Sequence, residues 1–404
     1  MTQFDNKFIG LVPLLRMSIN GDDLRSTCQN LLTKAADNPE NSNLWMNLST
    51  AMLCIEQRDI GLSIQSQALE MSRIYHLAAA IQPAKLRLLM LMTPGDLAAN
   101  TPLDCLLENT DIDLIYYYLS SGDPFAESIP DHDALMVAFS ELEENDSLID
   151  TLSQRLKDWP HPVINAPLCI PSTRRDNASR LLQDIPGLFI PSTFRVSRAD
   201  LISVANAKLP LSELIANHDF PIILRPLDSH AGRDLVKIEN TAEITEYLSR
   251  IEDSMFFLSK FIDYSGEDDQ FRKFRIAIID GTPFACHMAI SSHWMIHYVN
   301  AGMYEDAAKR NEERQFMETF DSFILRHATA LTEIHQRTGL DYLCIDCAET
   351  ASGELLIFEI DHAMIVHAMD NEALFPHKRL HIEKISSAFR DYLLRLAVSG
   401  TTSS

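Results

Sequence analysis

Two apolar runs near the end of the chain predict a hairpin that carries more charge than such a hairpin can easily bury. The runs cover residues 341–348 and 354–360, and Ser352-Gly353 between them is a turn signal. Asp346 lies in the first run and points away from Ile345. In Leu355-Leu356-Ile357-Phe358-Glu359-Ile360-Asp361, period-two alternation puts Glu359 and Asp361 on one face. The hairpin brings Asp346 beside them. Three carboxylates on an apolar-walled face are costly unless cations neutralise them. Hard oxygen ligands suit Mg²⁺, which keeps waters and phosphate oxygens in its shell. The competing reading is a solvated acidic strand edge, which fits poorly with two runs that are otherwise apolar.

Cations recur upstream. Pro221-Ile222-Ile223-Leu224-Arg225-Pro226 is a predicted strand ending in a cation. The small-residue turn Ser229-His230-Ala231-Gly232 follows, and then a strand over 234–238. Strand, turn and strand can lay backbone N–H groups over a phosphate, although one glycine also suits an ordinary hairpin. Further on, Arg272-Lys273-Phe274-Arg275-Ile276 alternates, so Lys273 and Arg275 share a face. The alternative there is a basic outer strand face.

Those cations stand out because the chain is acidic. Its 404 residues hold 34 Lys plus Arg against 57 Asp plus Glu, a net charge of -23. Such a chain repels polyanions, which argues against nucleic acid or an acidic membrane face as partner. Leu88 to Gln154 contains no Lys or Arg and 14 Asp plus Glu. Seven thinly spread cysteines argue against a disulfide framework. Cys344 and Cys347 have metal-site spacing, but they fall within a predicted buried strand and read as core. The start of the chain has no signal-peptide pattern, and Leu86 to Met92 is apolar but too short to span a membrane. A cytoplasmic location is expected.

Residues 1–80 are expected to form a helical module, with apolar spacing of three and four over about 20–80. Trp45, Leu48, Gly61, Ala68 and Pro39 resemble a tetratricopeptide repeat, a module that would offer a protein-docking surface. A plain helical hairpin is the alternative. Residues 81–185 predict a small α/β unit with strands at 112–118, 134–139 and 162–165 and a helix at 147–156. Residues 186–404 predict strands at 221–226, 234–238, 255–262, 273–280, 283–290, 341–348 and 354–360. Helices are expected there at 198–217, 241–251, 311–338 and 380–397. Asp280-Gly281 is a second hairpin signal.

The ordered series resembles the ATP-grasp family over roughly residues 160–397. It comprises Asn165, Ile190-Pro191-Ser192-Thr193, the Arg225 strand, the Phe256–Ile262 strand, the Arg275 strand and the Asp346…Glu359-x-Asp361 set. The fold class implied is α+β. Two subdomains with antiparallel sheets would follow a small α/β unit and the helical module, as in bacterial fusions of such repeats to an ATP-grasp domain. The resemblance implies ATP and two Mg²⁺ as cofactors. It also implies an ADP-forming ligase that joins a carboxylate to an amine through an acyl phosphate, acting on an amino acid, small acid or peptide.

By position, Asp346, Glu359 and Asp361 would hold metal. Arg225 and Arg175 (or Arg180) would contact phosphates, with Ser229, His230, Gly232 and Lys273 beside the nucleotide. The backbone of Ser259, Lys260, Phe261 and Ile262 would read adenine, and Arg275 would bind the migrating phosphoryl group. Arg stands at 225 where the family has Lys, and the glycine loop is thin. His293, Trp294 and His297 follow the Arg275 strand, where the resemblance puts the acceptor. The alternatives for this segment, which includes His287, are ordinary core or surface histidines and a three-His metal site. The acidic stretch suggests a cationic or amine-bearing acceptor approaching from the small α/β unit. The rival function is a repeat-based scaffold with a nucleotide-sensing or degenerate ATP-grasp domain.

Overall fold

The structure, a computed structural model, describes residues 6–120, 122–215, 218–227, 229 and 232–401. His230, an expected nucleotide contact, lies outside the described residues. Four helices come first: α1 (Val12–Asn20), α2 (Leu24–Asp37), α3 (Ser42–Cys54) and α4 (Arg58–Met71). Asp23 and Asn41 cap α2 and α3 by accepting from backbone N–H groups. Ser49 Oγ donates to Gly61 O at 2.8 Å, drawing α3 and α4 together. Helix does not run on to residue 80. Ile74-Tyr75-His76-Leu77 alternates, and it forms strand β1 (Ile74–Leu77), with Tyr75 fully buried.

A first sheet follows, built from β1, β2 (Leu86–Met92), β3 (Ile112–Tyr118), β4 (Ala134–Val137) and β5 (Val163–Ile164). Its order is β1-β3-β2-β4-β5, parallel except for the β1–β3 edge. Helices α5 (Leu103–Leu107) and α6 (Asp146–Arg155) fall between its strands. The central strand is the Leu86–Met92 run, unassigned from sequence. It lacks alternation because both its faces are covered: Leu88, Leu89, Met90 and Leu91 are fully buried.

Next come α7 (Arg175–Leu181), β6 (Leu188–Phe189), β7 (Thr193–Ser197), α8 (Arg198–Ala205), β8 (Ile222–Pro226), β9 (Val236–Ile238), α9 (Thr241–Arg250) and β10 (Met255–Lys260). Strands β7-β10-β8-β9 make a second, antiparallel sheet. It has its own core with α8 and α9, including Leu201, Ile222, Leu224, Ile244, Tyr247 and Phe256. The helix expected over 198–217 stops at Ala205. A 3₁₀ turn at Leu211–Glu213 follows Pro210, which cannot continue a helix, and residues 216–217 lie outside the described set.

The third sheet has the order β12-β11-β13-β14-β6. It comprises β11 (Phe271–Ile279), β12 (Thr282–Ser291), β13 (Tyr342–Glu349), β14 (Leu355–Asp361) and β6, antiparallel except where β6 joins β14. Both hairpins form where the turn signals stand. Asp280 (φ 47°) and Gly281 (φ 75°) are both left-handed, as a two-residue turn between twisted strands requires. Between β12 and β13 the expected long helix is three: α10 (Ala307–Glu318), α11 (Phe320–Arg326) and α12 (Ala328–Thr338). The chain closes with α13 (Lys378–Thr401). Its Ile382, Ile385 and Phe389 share one core with Leu88 and Met90 of the first sheet and Ala277 and Cys344 of the third. Asn165 fastens the same two sheets: its Nδ2 donates to Tyr342 O at 2.9 Å, and Tyr342 N donates to its Oδ1 at 3.0 Å. Cys344 and Cys347 are buried free thiols within β13, as expected of core residues. No described helix is long and apolar enough to cross a membrane.

Candidate functional site

A cleft runs between the second and third sheets. Arg175, Arg225, Gly232, Lys260, Phe261, Ile262, Lys273, Trp294, His297, Asp346 and Glu359 all line it. Period-two geometry explains the gathering: Arg225 and Phe257 pair across β8 and β10, while Arg275, Asp346 and Glu359 are register neighbours across β11, β13 and β14. A bulge after Asp346 leaves Phe358 unpaired on β14.

The carboxylates do not stand as an open trio. Asp346 is nearly inaccessible and accepts from Lys273 Nζ at 2.9 Å, from Arg275 Nε at 2.8 Å and from Arg275 Nη2 at 3.0 Å. Burial opposes its ionisation, but Arg275 and Lys273 hold it well below the usual carboxylate range. Glu359 pairs with Arg175 Nη2, and Arg175 Nη1 also donates to Phe358 O at 3.3 Å. Burial pushes the Glu359 carboxyl up, and Arg175 and Arg225 bring it below its ordinary value. Asp361 has no cationic partner among the described residues. Burial, then Glu141 and Glu359, push its carboxyl up, while its Oδ1 accepts from Ala363 N at 2.8 Å. Among the described residues, no group of three or more His, Cys, Asp or Glu could by itself hold a metal ion, which applies equally to the histidine segment.

Arg225 is the odd cation. Its side chain is buried, Nε donates to Ser229 Oγ at 3.1 Å and Nη2 to Ser229 O, and no described carboxylate pairs with it. Burial and the neighbouring Arg175 push its pKa down to about 9. A buried guanidinium that pairs with no described carboxylate is suited to an anionic ligand.

At the other end of the cleft, Phe261 meets Trp294 edge-on at 5.6 Å, with Lys237 Nζ 4.2 Å from the Phe261 ring centre. Gly232 (φ 71°) presses on His297: a Cβ there would lie 2.3 Å from His297 Nε2. This contact joins the turn after β8 to the segment after β12.

Four expected residues are not in the cleft lining: Ser229 and Asp361, together with Arg275 and His293. Arg275 lies behind Asp346, donating also to Ile365 O at 3.3 Å, and His293 is exposed. His287 is packed on Tyr298 with ring centres 5.0 Å apart. Sequence reasoning missed Ser140 and Glu141, which follow β4. Together with His362 they supply the only buried side-chain polar atoms left without a partner among the described residues: Ser140 Oγ, Glu141 Oε2 and His362 Nδ1. The acidic run Glu141-Leu142-Glu143-Glu144 at a strand end was the available signal.

No family model and no curated protein matches this chain. Solved structures similar to it include D-alanine–D-alanine ligase from Bacillus anthracis complexed with ATP (12% identity, TM-score 0.47, covering 79% of this chain and 99% of that one). VanG D-Ala:D-Ser ligase from Enterococcus faecalis is 14% identical (TM-score 0.45, 77% and 99%). A RimK domain ATP-grasp protein from Sphaerobacter thermophilus is 16% identical (TM-score 0.43, 76% and 99%).

Proposed function

We propose that the chain is an ATP-grasp enzyme, an ATP- and Mg²⁺-dependent ligase that joins a carboxylate to an amine and releases ADP and phosphate. The observation that carries this reading is Arg225, buried and in no ion pair with a carboxylate among the described residues, in a cleft between two antiparallel sheets. Residues 186–404 would form the catalytic domain, 81–185 together with β1 the preceding α/β domain, and the helices before β1 a repeat-like docking module.

In this reading the backbone of Ser259–Ile262 reads the adenine, and Phe261 and Trp294 wall it. Arg225 and Arg175 hold phosphate oxygens. Lys273, oriented by Asp346, which Arg275 holds from behind, balances the charge that spreads as the γ-phosphoryl group moves to the substrate carboxylate. The amine then attacks the acyl carbon and phosphate leaves. The turn bearing Gly232 and the segment bearing His297 exclude water. The donor set fits Mg²⁺: Glu359 and Asp361 supply hard oxygens from one strand, with Asp346 opposite Glu359. Since these residues form no closed metal cage, the ion would complete its shell with phosphate and water. When bound, it would supply neutralising charge to the phosphates.

One observation favours the nucleotide-sensing scaffold instead: Asp346 and Glu359 are already engaged by Lys273, Arg275 and Arg175. A screen of acids and amines for ADP release, with and without Mg²⁺, separates the readings. The ligase reading expects release that needs both substrates and is lost in Glu359→Ala. Nucleotide binding without release under any pair supports the sensor, and absence of nucleotide binding refutes both.

A further inference from the structure

Between β12 and α10 the chain is irregular apart from one 3₁₀ turn at Tyr298–Asn300, and it carries Trp294 and His297 into the cleft. Side chains of α10 hold this segment from behind. Lys309 Nζ donates to Ala301 O at 2.7 Å, and Arg310 Nη1 donates to Met303 O at 2.9 Å and Tyr304 O at 2.7 Å. One turn further along α10 stands Glu313, which is fully buried. The Tyr298 hydroxyl lies 3.1 Å and 3.0 Å from its two oxygens, and Met288 N of β12 donates to it at 3.2 Å. Glu313 does not line the cleft itself.

A buried carboxylate needs a cation as well as neutral donors. Lys378, at the start of α13, supplies it: its Nζ lies 3.5 Å from Glu313 Oε1 and 3.0 Å from Asp370 Oδ2. The same ammonium sits 3.7 Å from the Tyr298 ring centre and 4.5 Å from that of Phe375. Asp370 accepts from the Tyr304 hydroxyl at 2.8 Å. Two acids therefore share one lysine, and each takes one tyrosine of the segment. Apolar residues of similar volume would stabilise a fold as well or better. What they would not supply is direction, because hydrogen bonds to charged groups are short and angular. At its other end the segment meets the cleft walls: Tyr264 Oη donates to Trp294 O, Phe261 packs on the Trp294 ring, and Gly232 presses on His297. His297 directly precedes Tyr298, so the Tyr298 anchor sets where the histidine stands.

We propose that Glu313 is a positioning residue for the nucleotide: acting through the Tyr298 hydroxyl, it sets the place of Trp294 and His297 in the cleft, and Lys378, shared with Asp370, keeps it charged there. The proposal rests on the reading of the cleft as a nucleotide site and adds to it a residue that touches no ligand.

The test uses the full chain labelled with 5-fluorotryptophan. Its three tryptophans, Trp45, Trp159 and Trp294, give three fluorine resonances, and Trp294→Phe identifies the one that matters. Tyr298→Phe removes one hydroxyl and keeps the ring against Lys378, while Glu313→Ala removes the carboxylate. Tyr298→Phe should move the Trp294 resonance, leave the other two in place and lower ADP affinity about three- to tenfold. Adding Tyr298→Phe to Glu313→Ala should lower ADP affinity no further than Glu313→Ala alone does. If Glu313→Ala does not fold, Tyr298→Phe carries the comparison by itself. A purely structural role would lower the unfolding midpoint and leave the Trp294 resonance and ADP affinity of the folded protein as they were. An unmoved Trp294 resonance, an unchanged ADP affinity in the folded variants, or additive losses in the double variant overturns the proposal. In each of those cases wild type still binds ADP and the nucleotide reading stands. Wild type that binds no ADP refutes that reading, and the proposal with it.

Discussion

Replacing Asp346 by Asn should destabilise the protein by about 3 kcal/mol, the lower end of the range for breaking a buried ion pair. The carboxylate side chain is 4% exposed and accepts three bonds from two cations, themselves only 15% and 17% exposed. The amide keeps the shape and removes the charge. Lys273 and Arg275 are then left facing each other without compensation. The lower end applies because Lys273 lines the cleft and can turn toward water, whereas Arg275 is held by its bond to Ile365 O. Urea unfolding at neutral pH measures the loss. The double variant Asp346→Asn/Arg275→Gln removes one of the stranded cations and should recover at least about 1 kcal/mol of it. A loss below about 1 kcal/mol in the single variant would match a surface pair, and the reasoning about a buried, cation-neutralised carboxylate would be refuted.

Three further outcomes follow from named contacts. Asn165→Ala should cost about 3 kcal/mol in the same assay, because it strands the Tyr342 N–H and carbonyl and puts a Cβ-bearing residue without a polar side chain at φ 54°. Asp111 is held down to about 2, chiefly by its hydrogen bonds to Arg390 of α13 and against the effect of burial. Its folded pKa lies below the unfolded value of about 4. The pair's contribution of about 1–2 kcal/mol should therefore be full above about pH 4 and vanish as pH falls toward about 2, a dependence that Arg390→Met should weaken, leaving the smaller part due to Lys85. Gly232→Ala drives a methyl into His297 and should weaken ADP binding about tenfold, through strain of about 1–2 kcal/mol. Adding His297→Ala should restore part of that affinity, and no recovery would mean that the backbone conformation alone is responsible.

The hairpins were the most legible part of this chain. Asp280-Gly281 and Ser352-Gly353 mark turns whose backbone demands are local, so the strands beside them follow from alternation. The Leu86–Met92 strand was illegible because a strand covered on both faces has no period to read. Ile74–Leu77 was absorbed into the helical stretch before it, and only pairing with β3 makes it a strand. At the site, the cleft does gather Arg175, Arg225, Lys273, Asp346 and Glu359 from five separate segments. What the residue order did not show is who neutralises whom. Asp346 is paired across the sheet to Lys273 and Arg275, a matter of register rather than spacing. Ser140 and Glu141 were hidden because their meaning lies in having no partner, which no sequence pattern expresses.

The central claim is that Arg225, buried and paired with no described carboxylate, is kept for a nucleotide phosphate. ADP affinity and unfolding free energy of wild type and Arg225→Met test it most directly. Methionine fills similar space without charge, so the account expects ADP affinity to fall about ten- to a hundredfold. Stability without ligand should hold or rise, since a buried charge that pairs with no described carboxylate has been removed. Unchanged ADP affinity, or a variant that loses stability and still binds ADP as wild type does, would contradict it.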